Sequence, residues 1–148
     1  MKYLATTQHG IVNEVIMPYG ESLRSLGWWY AQLMAESLGK KYDLSGNVIR
    51  YGRTLASCLG TTDMHSMTQE HQEGKNNKLI QFISVKKRKH EITANCEEQG
   101  RKGQVALGRI LNAALNSNAR ALASENRMSC EISIPEITPY YIGGLLYF

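Results

Sequence analysis

The chain is poor in proline and in cysteine, and each shortage narrows its class. Three prolines and 13 glycines among 148 residues, with 43% apolar residues, exclude collagen-like, mucin-like and wholly disordered chains. Cys58, Cys96 and Cys130 are odd in number and widely spaced, so they fit neither a disulfide framework nor a zinc pattern. A reducing, cytoplasmic compartment is the expectation. No apolar run reaches the roughly 18 residues of a membrane span, and no membrane partner is expected. The opening MKYLATTQHG lacks the apolar stretch and cleavage site of a signal peptide. An excess of one charge is missing too, since 17 cations against 13 anions leave only +4. The densest basic run, Lys86-Lys87-Arg88-Lys89-His90, has no interleaved aromatics on which bases would stack. It reads as a strand end or loop in solvent, and no nucleic-acid partner is expected. Phosphate-loop, dinucleotide, zinc-protease and serine-hydrolase motifs are all missing. His9, His71 and His90 have no ligand spacing with any Cys or carboxylate pair, so no metal site is expected.

What is present suits one globular domain with a sizeable core. Asn13–Pro18 reads as a short buried strand closed by a Pro-Tyr-Gly turn. From Glu21 to Leu38, apolar residues recur at helical spacing between Gly20 and Gly39, with Lys40 and Lys41 beyond, where cations suit a helix end. Asn47–Tyr51 is a second strand candidate after a Ser-Gly-Asn turn. Thr61 or Thr62 suits an N-cap, with a helix from about Met64 to His71. Lys78–Val85, mostly apolar rather than strictly alternating, is the clearest strand and has the composition of one covered on both faces. A polar, glycine-containing stretch leads to a long amphipathic helix over Gln104–Ser124, then a strand over Cys130–Pro135. Pro139 opens a final helix. This alternation predicts an α/β fold, a three-layer sandwich with a parallel sheet.

Three local features bear on chemistry. Glu36, in Ala35-Glu36-Ser37-Leu38-Gly39-Lys40, falls in the last turn of an apolar helix. The negative end of the helix dipole disfavours its charged form, and partial burial would act the same way, as a general base requires. A surface Glu paired with Lys40 at i+4 is the plain alternative. His65, in Gly60-Thr61-Thr62-Asp63-Met64-His65-Ser66, falls in the first turn of a helix, where an imidazolium is disfavoured. A histidine bonded to a cap residue is the plain alternative there. Glu73-Gly74 reads as an ordinary helix end.

These residues lie in longer segments, VIMPYGESLRSLGWWYAQLMAESLGKK and LGTTDMHSMTQEHQEGKNNKLIQFI, followed near the end by IPEITPYYIGGLLYF. Together, from Asn13 to Phe148, they resemble the second sugar-isomerase (SIS) domain of bacterial-type glucose-6-phosphate isomerases. The resemblance implies a flavodoxin-like parallel sheet over 13–148, with 1–12 leading in from a preceding region. It implies interconversion of glucose 6-phosphate and fructose 6-phosphate, without metal or redox cofactor. Glu36 would move a proton between C1 and C2 through a cis-enediol. His65 would open the sugar ring, acting in the neighbouring subunit of a homodimer, and Thr62 and Asp63 would contact a phosphosugar. The sequence departs from the family pattern at Met64 for the usual Gln, at Gly52-Arg53-Thr54-Leu55 for a loop with two prolines, and at Lys75 for a Pro. These changes fall on loop shape and sugar contacts. The family's phosphate-binding loop and a downstream lysine segment are not in the chain, and the apolar end at Phe148 is expected to be a cut inside a helix. The chain by itself is therefore expected to be inactive. A free-standing phosphosugar sensor is the competing reading, and a sensor has no need of both Glu36 and His65.

Overall fold

The computed structural model describes residues 2–98 and 101–147, so both chain ends, Met1 and Phe148, lie outside the described residues. In chain order the elements are α1 (Lys2–His9), β1 (Asn13–Pro18), a 3-10 turn (Glu21–Leu23) running into α2 (Arg24–Leu38), β2 (Lys40–Tyr42), β3 (Val48–Tyr51), β4 (Thr54–Ser57), α3 (Met64–Glu73), β5 (Lys78–Lys87), β6 (Thr93–Glu98), β7 (Arg101–Ala106), α4 (Leu107–Ser124), β8 (Ser129–Glu136) and α5 (Pro139–Tyr147).

Four of the strands form one sheet in the order β4-β1-β5-β8, and every pairing is parallel. The expected α/β sandwich is therefore present. Numbered within the sheet, that order is 2-1-3-4, the flavodoxin-like arrangement, with its switch point between β1 and β5. Strand period sends Val15, Met17 and Tyr19 of β1 and its extension to one face, with Ile80 and Phe82 of β5. There they meet Met64 and Met67 of α3 and Leu111, Leu115 and Leu122 of α4. Ile16, Ile83, Val85 and Ile134 point the other way, onto Leu26 and Tyr30 of α2 and Ile142 and Leu145 of α5. The helices change faces because the chain first steps outward from β1 to β4, then back across β1 to β5, and each crossover keeps its right-handed sense. A third cluster, Ala5, Ile11 and Leu79, packs α1 onto the foot of the sheet. Among the described residues no helix is long and apolar enough to cross a membrane.

Several expectations need correction. The strand foreseen at Asn47–Tyr51 exists as β3, but it pairs antiparallel with β2 in a separate two-stranded hairpin. The edge of the main sheet is instead β4, Thr54–Ser57, which begins inside the Gly52-Arg53-Thr54-Leu55 stretch compared above with a family loop. The polar stretch before α4 is a second hairpin, β6 with β7, so the helix begins at Leu107 and not Gln104. Neither Thr61 nor Thr62 caps α3; the residue at the N-cap is Asp63, and its side chain does not cap the helix. Of the cysteines, Cys58 is buried, Cys130 is half-buried and both are free, while the Cys96 side chain lies outside the described residues.

Candidate active site

The helix carrying Glu36 starts at the carboxyl end of β1 and runs back along the sheet. Its 15 residues span about 22 Å, enough to bring its last turn to the amino ends of the strands. There Leu38 shares a hollow with Glu14, Arg53 and Leu55, at the start of β1 and β4. Glu36 is exposed, so the partial burial considered above is absent. Among the described residues its carboxylate accepts one hydrogen bond, from Gln32 Nε2 at 3.1 Å. Lys40 does not pair with that carboxylate; its Nζ donates to the Glu36 carbonyl at 3.0 Å and so closes the helix end. One and two turns back on the same face stand Leu33 and Trp29, both exposed. Among the described residues this apolar stripe, bordering a carboxylate with a single partner, is left uncovered.

His65 belongs to the opposite end of the sheet. It is the second residue of α3, which follows the carboxyl end of β4, and its ring faces solvent. The turn before it is tied to the chain just upstream. Asp63 Oδ2 accepts the Leu59 N–H at 2.6 Å, while the Asp63 N–H donates to the Leu59 carbonyl at 2.7 Å. Asp63 also lines a small hollow with Pro18, Arg24, Trp28 and Cys58. Thr62 is exposed. Thus Thr62, Asp63 and His65 sit together at the carboxyl ends of the strands, and Glu36 does not join them. The direction of α2, which leaves the carboxyl end of β1, is what carries Glu36 away from them.

The departures noted in the sequence have internal roles. Met64 turns into the core, where its Sδ accepts from Tyr19 Oη at 3.4 Å. Arg53 pairs with a buried acid that sequence reasoning did not single out. Glu14, 1% exposed on the second residue of β1, receives Lys2 Nζ at 2.8 Å and Arg53 Nη1 at 2.7 Å. Tyr30 Oη and Gln81 Nε2 also donate to it. Burial alone would raise the Glu14 carboxyl; the hydrogen bonds from Lys2 and Tyr30 and the adjacent cations outweigh it and hold the group below the usual carboxylate range. A lone acid within the apolar strand NEVIMP was the available signal, because buried charges need partners. The Arg53 guanidinium also reaches Thr6 Oγ1 at 2.9 Å and the Lys2 carbonyl, fastening α1. Lys75 forms part of the turn into β5, its carbonyl accepting Lys78 Nζ at 2.6 Å.

A cavity of about 380 Å³ lies between α2 and α5, walled by Trp29, Leu33, Leu145 and Leu146, with Lys2, Tyr30 and Gln81 supplying polar atoms. Neither Glu36 nor His65 lines it. Of the basic run, Lys86 and Lys87 form the exposed end of β5, and Arg88 turns back to donate to the Tyr19 carbonyl at 3.3 Å. Among the described residues no group of three or more His, Cys, Asp or Glu side chains could hold a metal ion.

No family model matches the chain. It is 34% identical over 139 residues to the glucose-6-phosphate isomerase of Carboxydothermus hydrogenoformans, which covers 90% of this chain and 30% of that enzyme. Against the glucose-6-phosphate isomerase of Geobacter sulfurreducens it is 34% identical over 146 residues, 99% of this chain and 27% of the relative. A crystal structure of a hypothetical protein from Thermus thermophilus superposes with a TM-score of 0.82 at 28% identity, over 97% of this chain and 35% of that one. The glucose-6-phosphate isomerase of Chlamydia trachomatis shares the fold, with a TM-score of 0.84 at 21% identity, over 98% of this chain and 30% of that one. The chain therefore corresponds, over nearly its whole length, to one segment of glucose-6-phosphate isomerases, and it spans less than a third of the curated relatives' length.

Proposed function

We propose that the chain is the second sugar-isomerase domain of a cytoplasmic glucose-6-phosphate isomerase, with residues 13–148 forming that domain and 1–12 leading in from a preceding region. The reaction is the aldose–ketose interconversion of glucose 6-phosphate and fructose 6-phosphate, a step of glycolysis and gluconeogenesis. The observation that carries the reading is the likeness to these isomerases along 89–99% of the chain. Glu36 is the base that carries a proton between C1 and C2, and His65 opens the sugar ring.

Geometry adds a constraint. Glu36 and His65 stand at opposite ends of one sheet, so a substrate that uses both receives them from two copies of the chain. A homodimer that lays the His65 end of one copy near the Glu36 face of the other satisfies this. Covering that face would also withdraw water from Glu36. Thr62, exposed beside His65, and Asp63, with its second carboxylate oxygen, would meet the phosphosugar there. One copy of this segment by itself is then expected to turn over little or no substrate.

The test is Glu36→Gln in the polypeptide as its reading frame encodes it, with turnover read by coupling glucose 6-phosphate to NADP reduction. A base removed in this way lowers kcat by roughly 10²- to 10⁴-fold with little change in KM. An unchanged rate removes Glu36 from the mechanism.

A further inference from the structure

Tyr19 is fully buried, 0% exposed, where β1 leaves the sheet. Its N–H donates to the Ile83 carbonyl at 2.8 Å, and the Gly60 N–H donates to the Pro18 carbonyl at 3.0 Å. These bonds extend β1 through a parallel bridge between Tyr19 and Gly60. The ring lies so close over Gly60 that a Cβ there would come within 2.5–2.6 Å of three ring carbons. Phe82 meets the ring edge-on, with centroids 5.9 Å apart. The phenol oxygen accepts from Asn118 Nδ2 of α4 at 3.2 Å and donates to Met64 Sδ of α3 at 3.4 Å. Burial pushes the phenol up from its ordinary range, with the Asn118 bond opposing, so it stays a donor.

Three elements thus converge on one hydroxyl, and the arrangement is not cheap. The buried Asn118 has its Oδ1 unpartnered among the described residues, and a thioether is a weak acceptor. What the cluster does is fix the rotation of one helical turn. Met64 directly precedes His65, and successive helix residues differ by about 100°. With Met64 held inward, His65 must face outward.

We propose that Tyr19 is the positioning residue for His65, acting through Met64. The Asp63–Leu59 pair ties the backbone at the start of α3, and the Tyr19–Met64 bond sets how that start is turned about its axis. The inference rests on the reading of His65 as a proton-transfer group and goes beyond it by naming what aims the ring.

The experiment is amide hydrogen exchange with imidazole NMR on the whole chain, comparing the native protein, Tyr19→Phe, Met64→Gln and the double variant. Tyr19→Phe keeps the ring over Gly60 and removes only the hydroxyl. It should accelerate exchange of the Met67 amide, which closes the first turn of α3, by about tenfold relative to α4 amides, the change expected on losing one hydrogen bond. The His65 ring lines should shift with it. Met64→Gln supplies a stronger acceptor and should slow that exchange when Tyr19 is present, and have no such effect in the double variant, where the hydroxyl is gone. Equal acceleration in α3 and α4, or a Gln effect that is the same with and without the hydroxyl, would overturn the proposal. Should Tyr19→Phe fail to fold, Met64→Leu breaks the same bond from its other end, with the same two readouts. Both report geometry without turnover, so a failed isomerase assay would strike the reading of His65 and leave this contact standing.

Discussion

Two glutamates of this chain show how differently one side chain can be used. Glu14 is buried at the foot of β1 and is met by Lys2, Arg53, Tyr30 and Gln81. Glu36, on the helix that packs over the same end of the sheet, is exposed and among the described residues receives Gln32 alone. The first is fully committed to holding α1, β1 and α2 together. The second contributes almost nothing to the fold and stands beside uncovered Trp29 and Leu33. A charge surrounded by its own chain is structural; a charge left nearly free beside an apolar stripe is available to something that arrives later.

The contrast can be broken most forcefully at the Glu14 cluster and at Glu36 together. Glu36→Gln should cost the 10²- to 10⁴-fold in kcat stated above and leave urea-denaturation midpoints within experimental scatter, as for most exposed positions. Glu14→Gln should do the opposite. It strands two cations, and breaking a buried pair typically costs about 3–5 kcal/mol, seen as a lower midpoint at unchanged slope. A third and smaller effect is expected at the other end of the sheet, where Gly60→Ala drives a methyl group into the Tyr19 ring. The crowding should cost about 1–3 kcal/mol and lower the melting temperature by several degrees.

Smaller still is a pH effect at His71, 1% exposed in α3, with both ring nitrogens unpartnered among the described residues. Burial, aided by Lys78 and opposed by Glu70, lowers its proton affinity below the ordinary value of 6.5. The unfolded chain therefore binds a proton that the folded chain refuses, so stability declines as pH falls below about 6.5, until the folded imidazole also titrates. Glu14 adds a loss only at more acid pH, because its depressed carboxyl keeps its charge, and its partners, down through the usual carboxylate range. Denaturant midpoints followed from pH 7.5 to 5 should fall in the native protein and stay flatter in His71→Phe; parallel curves would remove His71 as the source. Smallest of all, Glu21→Ala removes an exposed pair with Arg24 and should leave the midpoint unmoved.

Much of this fold is legible in the sequence because its signals are local. KLIQFISV has the composition of a strand covered on both faces, and β5 is central to the sheet. The apolar period through α4 and the punctuation around α2 likewise need nothing from the rest of the chain. β4 is not legible. Thr54-Leu55-Ala56-Ser57 is too short and too mixed to carry a pattern, and it is a strand only because β1 lies beside it. The hairpin of β2 and β3 is exposed throughout, so burial leaves no alternation in it. At the site, the motifs drew attention to Glu36 and His65, but their separation is a matter of direction. A helix that leaves the carboxyl end of β1 and runs about 22 Å must finish at the amino end. The partners of Glu14 were hidden for another reason: Lys2 and Arg53 are far apart in sequence and meet only through the tertiary fold.

The central claim is that one reaction site takes Glu36 from one copy and His65 from another. It is tested most directly by mixing two crippled proteins, Glu36→Gln and His65→Gln, each in the polypeptide as encoded, after dissociating and reassociating the subunits. Every mixed dimer then contains one site with both native groups. The account predicts recovery to about a quarter of native turnover in an equal mixture, since half the dimers are mixed and each regains one of its two sites. A mixture no more active than its two parents, although mixed dimers form, would contradict it.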